Sequence, residues 1–256
     1  MVAAVLATFA MLGFTTQRAP LRASSSGRGG AGVSMKPTPR VPYKYPGYET
    51  PVWMDIYNRM YRERILFLSQ PINDNFANQM ISVLLYLESE DATSPVAMYF
   101  NCYGGLQKSG LAIYDTMSIM PYDMQTVNMG IAADVAAFLV AGGTKGKRYA
   151  LPNARFCLTN PRLVPPYDED GNPIMRPMQA TEMQLEVEEV LRDKQRMLEG
   201  YARFTGRSMD RLKADFGRDF YLPASDAKEY GLIDNLLQSK AAPKSGIEIS
   251  ATAGLG

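Results

Sequence analysis

The sequence predicts an α/β fold, in which short buried strands alternate with amphipathic helices. Two apolar runs of strand length, ILFLS at 65–69 and VAMYF at 96–100, stand on either side of a segment with helical periodicity. In that segment the apolar residues recur at helical spacing, at Phe76, Met80, Val83, Leu84 and Leu87. Hydrophobic residues make up 46% of the 256 residues, which suits one sizeable domain and is too little for two.

The same alternation continues toward the C terminus. The sequence predicts further helices at 106–119, 134–141, 179–204, 208–216 and 224–230, and strands at 124–130, 147–151, 155–159 and 220–222. Gly142 and Gly143 end the helix that begins at residue 134. The helix at 179–204 is the longest, and its apolar stripe consists of Met183, Val187, Val190, Leu191, Leu198 and Tyr201.

Residues 1–36 form a predicted targeting segment. The apolar run at 2–14 is too short to span a bilayer, and it is followed by a stretch rich in Arg, Ser and Gly. No acidic residue precedes Glu49. A hydrophobic core followed by transit-like sequence is typical of import into a plastid through the secretory route, so we expect a location in the chloroplast stroma. The alternative is an N terminus without a targeting role.

Three further segments follow along the chain. Residues 37–51 are rich in Pro and Tyr, and we expect an extended arm that lacks backbone hydrogen bonds of its own and is ordered only by a partner. Residues 52–238 form the predicted domain, which opens with a short amphipathic helix in VWMDIYNRMYRER at 52–64. Residues 239–256 are expected to be a flexible tail.

The composition excludes several classes of function. The chain contains no histidine, so Ser-His and Cys-His nucleophilic catalysis and histidine-based acid or base catalysis are excluded within it. Cys102 and Cys157 cannot form a zinc cage without histidine and are expected to be buried apolar residues. The net charge of +1 gives no reason to expect nucleic acid or a membrane as a partner. We expect neither a cofactor nor a metal.

Four stretches between about residues 61 and 237 resemble the proteolytic-subunit family of the Clp protease (ClpP), and more closely its noncatalytic ClpR relatives of plastids and cyanobacteria. They are YRERILFLSQPINDNFANQMISVLLYLESED, MYFNCYGGLQKSGLAIYDTM, AGGTKGKRYALPNARFCLTNP and LPASDAKEYGLID. The resemblance implies a ClpP/crotonase-like fold of repeated β-β-α units, with the helix at 179–204 as a protruding handle that docks on the opposite ring. It also implies stacked heptameric rings that contain catalytic ClpP and other ClpR subunits, and an Hsp100 (Clp) ATPase chaperone that feeds them.

The resemblance also places the residues of the site. The nucleophilic serine of the family falls on Asp134, its histidine on Thr159, and its aspartate on Asp219, which is retained. Gly105 and Val135 fall on the residues whose backbone amides form the oxyanion hole. Two of the three triad positions have therefore lost their chemistry, because a carboxylate cannot form the acyl-enzyme and Thr159 has no imidazole to take its proton. We expect a noncatalytic structural subunit that contributes to ring assembly and to the chamber wall.

Two features of the site leave alternatives open. The Asp134 carboxylate either fills or blocks the oxyanion hole, or it is a plain helix cap. The insertion at 162–178 covers the substrate groove, contacts neighbouring subunits, or is a tolerated surface insertion. A Ser-Lys dyad at Lys108 and Ser109 is rejected, because both residues lie near the start of a helix.

Three rival functions remain. A crotonase-like acyl-CoA enzyme would use Asp134 and Asp219 as acid and base, although no nucleotide site for coenzyme A is evident. A weakly active ClpP peptidase subunit is the second rival. The third is a homo-oligomeric scaffold that belongs to no protease.

Overall fold

The computed structural model describes residues 38–44, 47, 50–163 and 179–237. The predicted targeting segment 1–36, the tail 239–256 and most of the insertion at 162–178 lie outside the described residues, so what was expected of them stays a prediction. Among the helices of the described residues, none combines the length and the apolar character needed to cross a bilayer.

A two-stranded antiparallel hairpin precedes the main sheet. Strand β1 (Arg40–Tyr43) pairs with β2 (Val52–Asp55), and Pro42 lies opposite Trp53. Two expectations are therefore wrong: part of the arm at 37–51 pairs within the chain, and VWMD forms a strand rather than the first turn of a helix. Edge strands tolerate proline, and valine and aromatic residues favour the extended conformation of β2.

Helix α1 (Ile56–Arg62) follows β2 directly and is shorter than the predicted helix. The guanidinium carbons of Arg59 and Arg62 lie 4.7 and 5.6 Å from the ring centroid of Tyr43 in β1. These cation–π contacts join the hairpin to the helix.

The main sheet of the described residues has seven strands, of which only β8 runs antiparallel to its neighbour. The strands are β3 (Ile65–Leu68), β4 (Val96–Cys102), β5 (Met124–Ala133), β6 (Arg148–Ala150), β7 (Arg155–Leu158), β8 (Phe220–Pro223) and β9 (Asn235–Leu236). The order β3-β4-β5-β6-β9 forms one path, and β7 pairs with β5 and with β8. The predicted α/β class is confirmed.

Strand β5 is where the sheet divides. Its residues 126–128 pair with β6, whereas residues 131–133 pair with β7. Between these two halves lies Gly130, where a Cβ atom would be 2.6 Å from Oδ1 of Asn101 on β4. Glycine therefore leaves room for the Asn101 side chain, whose Oδ1 accepts from the Ile131 N–H at 3.2 Å where the end of β5 continues toward β7.

Six further helices connect and cover these strands. They are α2 (Asp74–Glu90), α3 (Gln107–Ile119), α4 (Val135–Ala141), α5 (Ala180–Thr205), α6 (Met209–Asp215) and α7 (Ala224–Tyr230). The elements predicted after residue 65 are present, with bounds that agree within a few residues. The strand predicted at 124–130 is longer and continues to Ala133.

Helix α4 is buried at every position, because neighbouring helices approach it at glycines. A Cβ atom at Gly110 of α3 would lie 2.1 Å from Cγ2 of Val135. A Cβ atom at Gly200 of α5 would lie 2.4 Å from Cε2 of Phe138. The helix is thus fixed on both sides, and so is the turn that precedes it.

The first half of helix α5 is exposed, which agrees with the predicted protruding handle, whereas its docking on an opposite ring stays a prediction. Its first turn is closed by a capping box between Gln179 and Glu182. In its second half Met197, Leu198 and Tyr201 are buried in the core. Residues 181–187 are all exposed, so the first half of the helix extends beyond the domain.

A buried ion pair joins Arg148, the first residue of β6, to Asp234, which directly precedes β9. The Arg148 side chain donates to Asp234 at 2.7 and 3.0 Å and to the Ala141 carbonyl at 3.1 Å, and the two paired side chains are 5 and 17% exposed. The backbone N–H of Gly146 also donates to Asp234, at 2.7 Å. Burial alone would raise the pKa of Asp234, but the bonds from Arg148 and Gly146 outweigh burial and lower it.

We predict that Asp234→Ala lowers the free energy of unfolding by about 3–5 kcal/mol, because it leaves the Arg148 guanidinium buried without its counter-ion. Urea denaturation at neutral pH measures this loss. The matched control is Asp123→Ala, which breaks the exposed pair with Lys147 at 2.6 Å and is expected to cost under about 1 kcal/mol. Equal losses in the free energy of unfolding for the two variants would contradict the claim that burial makes the Arg148–Asp234 pair more important.

Candidate active site

Asp134 occupies a sharp turn between β5 and α4. Its backbone has φ 52° and ψ −130°, a conformation that residues other than glycine rarely adopt. The Asp134 N–H donates to the Cys157 carbonyl at 2.9 Å, and the Asp134 carbonyl accepts from Ala137 at 3.1 Å. Such a strained strand-to-helix turn presents a side chain at the end of a sheet, which is the geometry of a nucleophile elbow.

A glycine loop after β4 lies against this turn. At Gly104, with φ 92°, a Cβ atom would lie 2.7 Å from the Asp134 Cβ atom. At Gly105 a Cβ atom would lie 2.1 Å from the Ile72 carbonyl oxygen, and the loop is held there by the Leu106 N–H, which donates to that carbonyl at 2.8 Å. The two glycines therefore allow the loop backbone to reach the Asp134 side chain.

Among the described residues, the Nε2 amide of Gln107 donates a hydrogen bond to the Asp134 carboxylate. The Thr159 hydroxyl and the backbone N–H of Gly105 also favour the charged form of this carboxylate and thus act to lower its pKa. The side chain makes no capping bond to the first turn of α4, so the plain helix cap is wrong. In the part of the chain that the structure describes, no bond from the Val135 N–H to this carboxylate is found.

Burial raises the pKa of Asp134, and the bonds from Gln107, Thr159 and Gly105 oppose that effect in part. The nearby Arg162 acts in the same direction as these donors. The charged form is thus less favourable here than in water, although it has well-placed donors.

Asp219 lies in the same pocket but has a different partner. Both of its carboxylate oxygens accept from Nη2 of Arg162 at 3.3 Å, and the two side chains are 46 and 70% exposed. The pocket, of about 620 Å³, is lined by Asp134, Thr159, Arg162 and Asp219, among others. The structure therefore brings the three predicted triad positions to one pocket, with Thr159 directed to Asp134 and Asp219 directed to Arg162.

Four other potentially reactive side chains, two thiols, a serine and a lysine, are buried or paired. The thiols of Cys102 and Cys157 are both buried and free, as the sequence predicted, and burial raises the pKa of each. Ser109 is 5% exposed and donates to Asp74, whereas Lys108 pairs with Glu189 at 3.4 Å. Ser109 and Lys108 thus have separate partners, as expected from the rejection of the dyad.

Sequence reasoning missed Gln107 and Arg162, the two side chains that bind the carboxylates of the pocket. Gln107 is the second residue after Gly105, and Arg162 the third after Thr159, so both stood next to positions already identified. Neither residue type belongs to the triad pattern. Only the folded geometry shows that each faces a carboxylate.

A strained strand-to-helix elbow beside a glycine loop, at the end of an α/β sheet, is the arrangement that acyl hydrolases use to present a side chain. Comparisons with known proteins specify this class. A family model described as Clp protease matches residues 48–240. The chain therefore belongs to the Clp protease family.

Several curated relatives are similar over most of their length. The ATP-dependent Clp protease proteolytic subunit 2 of Prochlorococcus marinus (strain NATL2A) is 42% identical over 200 residues, which are 78% of this chain and 95% of that relative. Subunit 3 of Parasynechococcus marenigrum (strain WH8102) is 42% identical, with the same two shares. The proteolytic subunit of Oltmannsiellopsis viridis is 41% identical over 78% of this chain and 97% of that protein.

We predict that Asp134→Asn stabilises the fold at neutral pH. Asparagine tolerates a positive φ and keeps an acceptor for Gln107, but it carries no charge to desolvate. The pKa of Asp134 in the folded protein is raised above its ordinary value of 3.8. At pH values above the folded pKa, the charged carboxylate therefore lowers the free energy of unfolding. That cost disappears as the pH falls through the folded pKa toward 3.8.

Thermal unfolding of both proteins across this pH range tests the prediction. The advantage of the variant should be largest at neutral pH and should shrink on acidification. Asp219→Asn, at an exposed carboxylate, is the control and should show a smaller effect. A variant less stable than the parent at neutral pH would contradict the prediction.

Proposed function

We propose that this chain is a noncatalytic, ClpR-type subunit of the Clp serine protease core of plastids. One observation carries the proposal: the elbow of a Clp protease fold holds a carboxylate that accepts a hydrogen bond from Gln107, in a chain without histidine. Its role is to fill positions in the ring and to shape the chamber wall.

The chemistry of the pocket supports the loss of proteolysis. An acyl-enzyme needs a hydroxyl or thiol and a base within hydrogen-bond reach. Asp134 has neither a hydroxyl nor a thiol, and its carboxylate is ordinarily a weaker base than the imidazole of a triad. The Thr159 hydroxyl has no imidazole to take its proton, because the chain contains no histidine. Asp219, the retained triad position, binds Arg162, so it has no imidazole to orient.

The second part of the proposal concerns the oxyanion hole. The resemblance assigns the Gly105 amide to that hole, and this amide favours the charged form of the Asp134 carboxylate. The carboxylate would then occupy the place where a substrate carbonyl oxygen accepts a hydrogen bond. Occupation of the hole would oppose the productive binding of a peptide as well as its cleavage, although the pocket around it has a volume of about 620 Å³.

The proposed partners are catalytic ClpP subunits and other ClpR subunits in stacked heptameric rings, with an Hsp100 ATPase that supplies unfolded chains. Membership of the family supports the ring, and the basic, acid-free N-terminal sequence supports import into a plastid. No cofactor is expected of this chain, so the chaperone would be the component that uses ATP.

We predict that Asp134→Ser leaves the full chain unable to hydrolyse a fluorogenic peptide, because Thr159 still cannot deprotonate the new hydroxyl. The double variant Asp134→Ser/Thr159→His restores both missing groups beside Asp219 and is expected to show detectable hydrolysis. Adding Arg162→Leu, which frees Asp219 to orient the imidazole, should raise the rate further.

Labelling with a serine-directed fluorophosphonate provides the second measurement. The parent chain and Asp134→Ser should remain unlabelled, and the double variant should be labelled at residue 134. Hydrolysis by the parent chain would establish the weakly active peptidase instead, and binding of acyl-CoA would favour the crotonase-like enzyme. Isolation from plastids without any catalytic subunit would favour the scaffold outside a protease.

A further inference from the structure

The exposed half of α5 carries an uncovered apolar stripe. Met183, Val187 and Leu191 follow one another at spacings of four residues, so they lie on one face of the helix. Their exposed fractions are 53, 40 and 57%. A cluster of three large apolar side chains on a protruding helix marks a surface that a partner covers.

The same stripe continues into the core of the domain. Further along the helix, Met197, Leu198 and Tyr201 extend the face, and they are 1, 2 and 0% exposed. The domain therefore covers the second half of one continuous apolar face and leaves the first half free. A helix or helical surface of another chain is the kind of partner that continues such packing.

The charged side chains of α5 between residues 180 and 191 are all acidic, and one of them, Glu189, pairs with Lys108 at 3.4 Å and with Arg192 at 3.1 Å. Residues 180–191 contain four glutamates and neither lysine nor arginine. Glu186 and Glu188 flank Val187 on opposite sides, because successive residues point about 100° apart around a helix. Glu186 forms no ion pair within the described residues, and Glu188 accepts only the neutral Gln184 amide, at 3.1 Å.

A second copy of this chain is a poor match for that surface. Suppose that the α5 helices of two copies pack antiparallel, related by a twofold axis perpendicular to both. Each side of the apolar stripe on one helix then lies next to the same side of the stripe on the other helix. Glu186 would then face the flank that carries Glu186, and Glu188 the flank that carries Glu188. Like charges in this arrangement repel, and the apolar contact brings them out of bulk water, where repulsion is stronger.

We propose that the exposed half of α5 docks on an amphipathic helix of a different chain, whose apolar seam is flanked by lysine or arginine, in preference to a second copy of this chain. The family resemblance implies that α5 docks on another subunit, and the acidic flanks add which subunit it selects. The inference does not depend on the loss of catalysis, so its failure would leave the proposed function untouched.

The test uses the full chain and a charge-reversed copy of it as the basic partner. Glu186→Lys/Glu188→Lys keeps the apolar stripe and the capping box, and it turns both flanks basic. Sedimentation velocity at low ionic strength should show an association in the equimolar mixture of parent and variant that is at least about tenfold tighter than in either protein alone. Raising the salt to about 0.5 M should remove most of this difference.

Two controls assign the association to α5. Glu90→Lys/Glu229→Lys reverses two exposed charges elsewhere and should not increase association with the parent chain. Val187→Gln in both components of the mixture should abolish the gain. The proposal is overturned if the parent chain alone associates through Val187 as tightly as the mixture does, or if the mixture shows no gain at all.

Discussion

The site depends on one strained turn. The backbone of Asp134, at φ 52° and ψ −130°, costs about 1–3 kcal/mol relative to a relaxed conformation and persists only because its surroundings hold it. The Cys157 carbonyl holds the turn from β7, and the buried helix α4 fixes it from the other side. Gly104 leaves room for the side chain where any Cβ would clash. The backbone of this turn directs the side chain at position 134 into the pocket, whichever residue type stands there.

A carboxylate at the turn imposes a demand that a hydroxyl would not. Burying an unpaired carboxylate costs several kcal/mol, so donors must surround it. Gln107 donates to it, Thr159 and Gly105 also favour its charged form, and burial still raises the pKa of Asp134. The residue at 134 is therefore coupled to its surroundings. Replacing Asp134 alone would leave the half-buried Gln107 amide without its acceptor, so placing a nucleophile at this turn involves more than one residue.

The sequence predicts the features that follow from periodicity. The apolar spacing from Phe76 to Leu87 predicts α2, and the glycines at 142 and 143 mark the end of α4. Prediction from the sequence fails where contacts between distant residues determine the local structure. The hairpin of β1 and β2 depends on pairing across a loop, which the proline-rich composition conceals. The plain helix cap, one of the two alternatives for Asp134, is absent, and the carboxylate accepts instead from Gln107, a contact that no local pattern encodes.

The contacts that seat α5 on the domain are separate from the side chain at the elbow. Helix α4 begins at the elbow, and one turn later Phe138 packs against Tyr201 and Phe204 of α5, with ring centroids 5.2 Å apart in both pairs. The ring contacts between α4 and α5 are apolar, whereas the lining of the pocket is largely polar and includes Glu186, Glu189 and Asp193 of α5. A polar substitution at Asp134 leaves the ring contacts in place, because the backbone sets the turn that presents the side chain. A subunit of this fold can therefore lose a reactive side chain at the elbow and still seat α5 on the domain. On the docking proposed above, charge on the exposed half of α5 would then distinguish one partner from another.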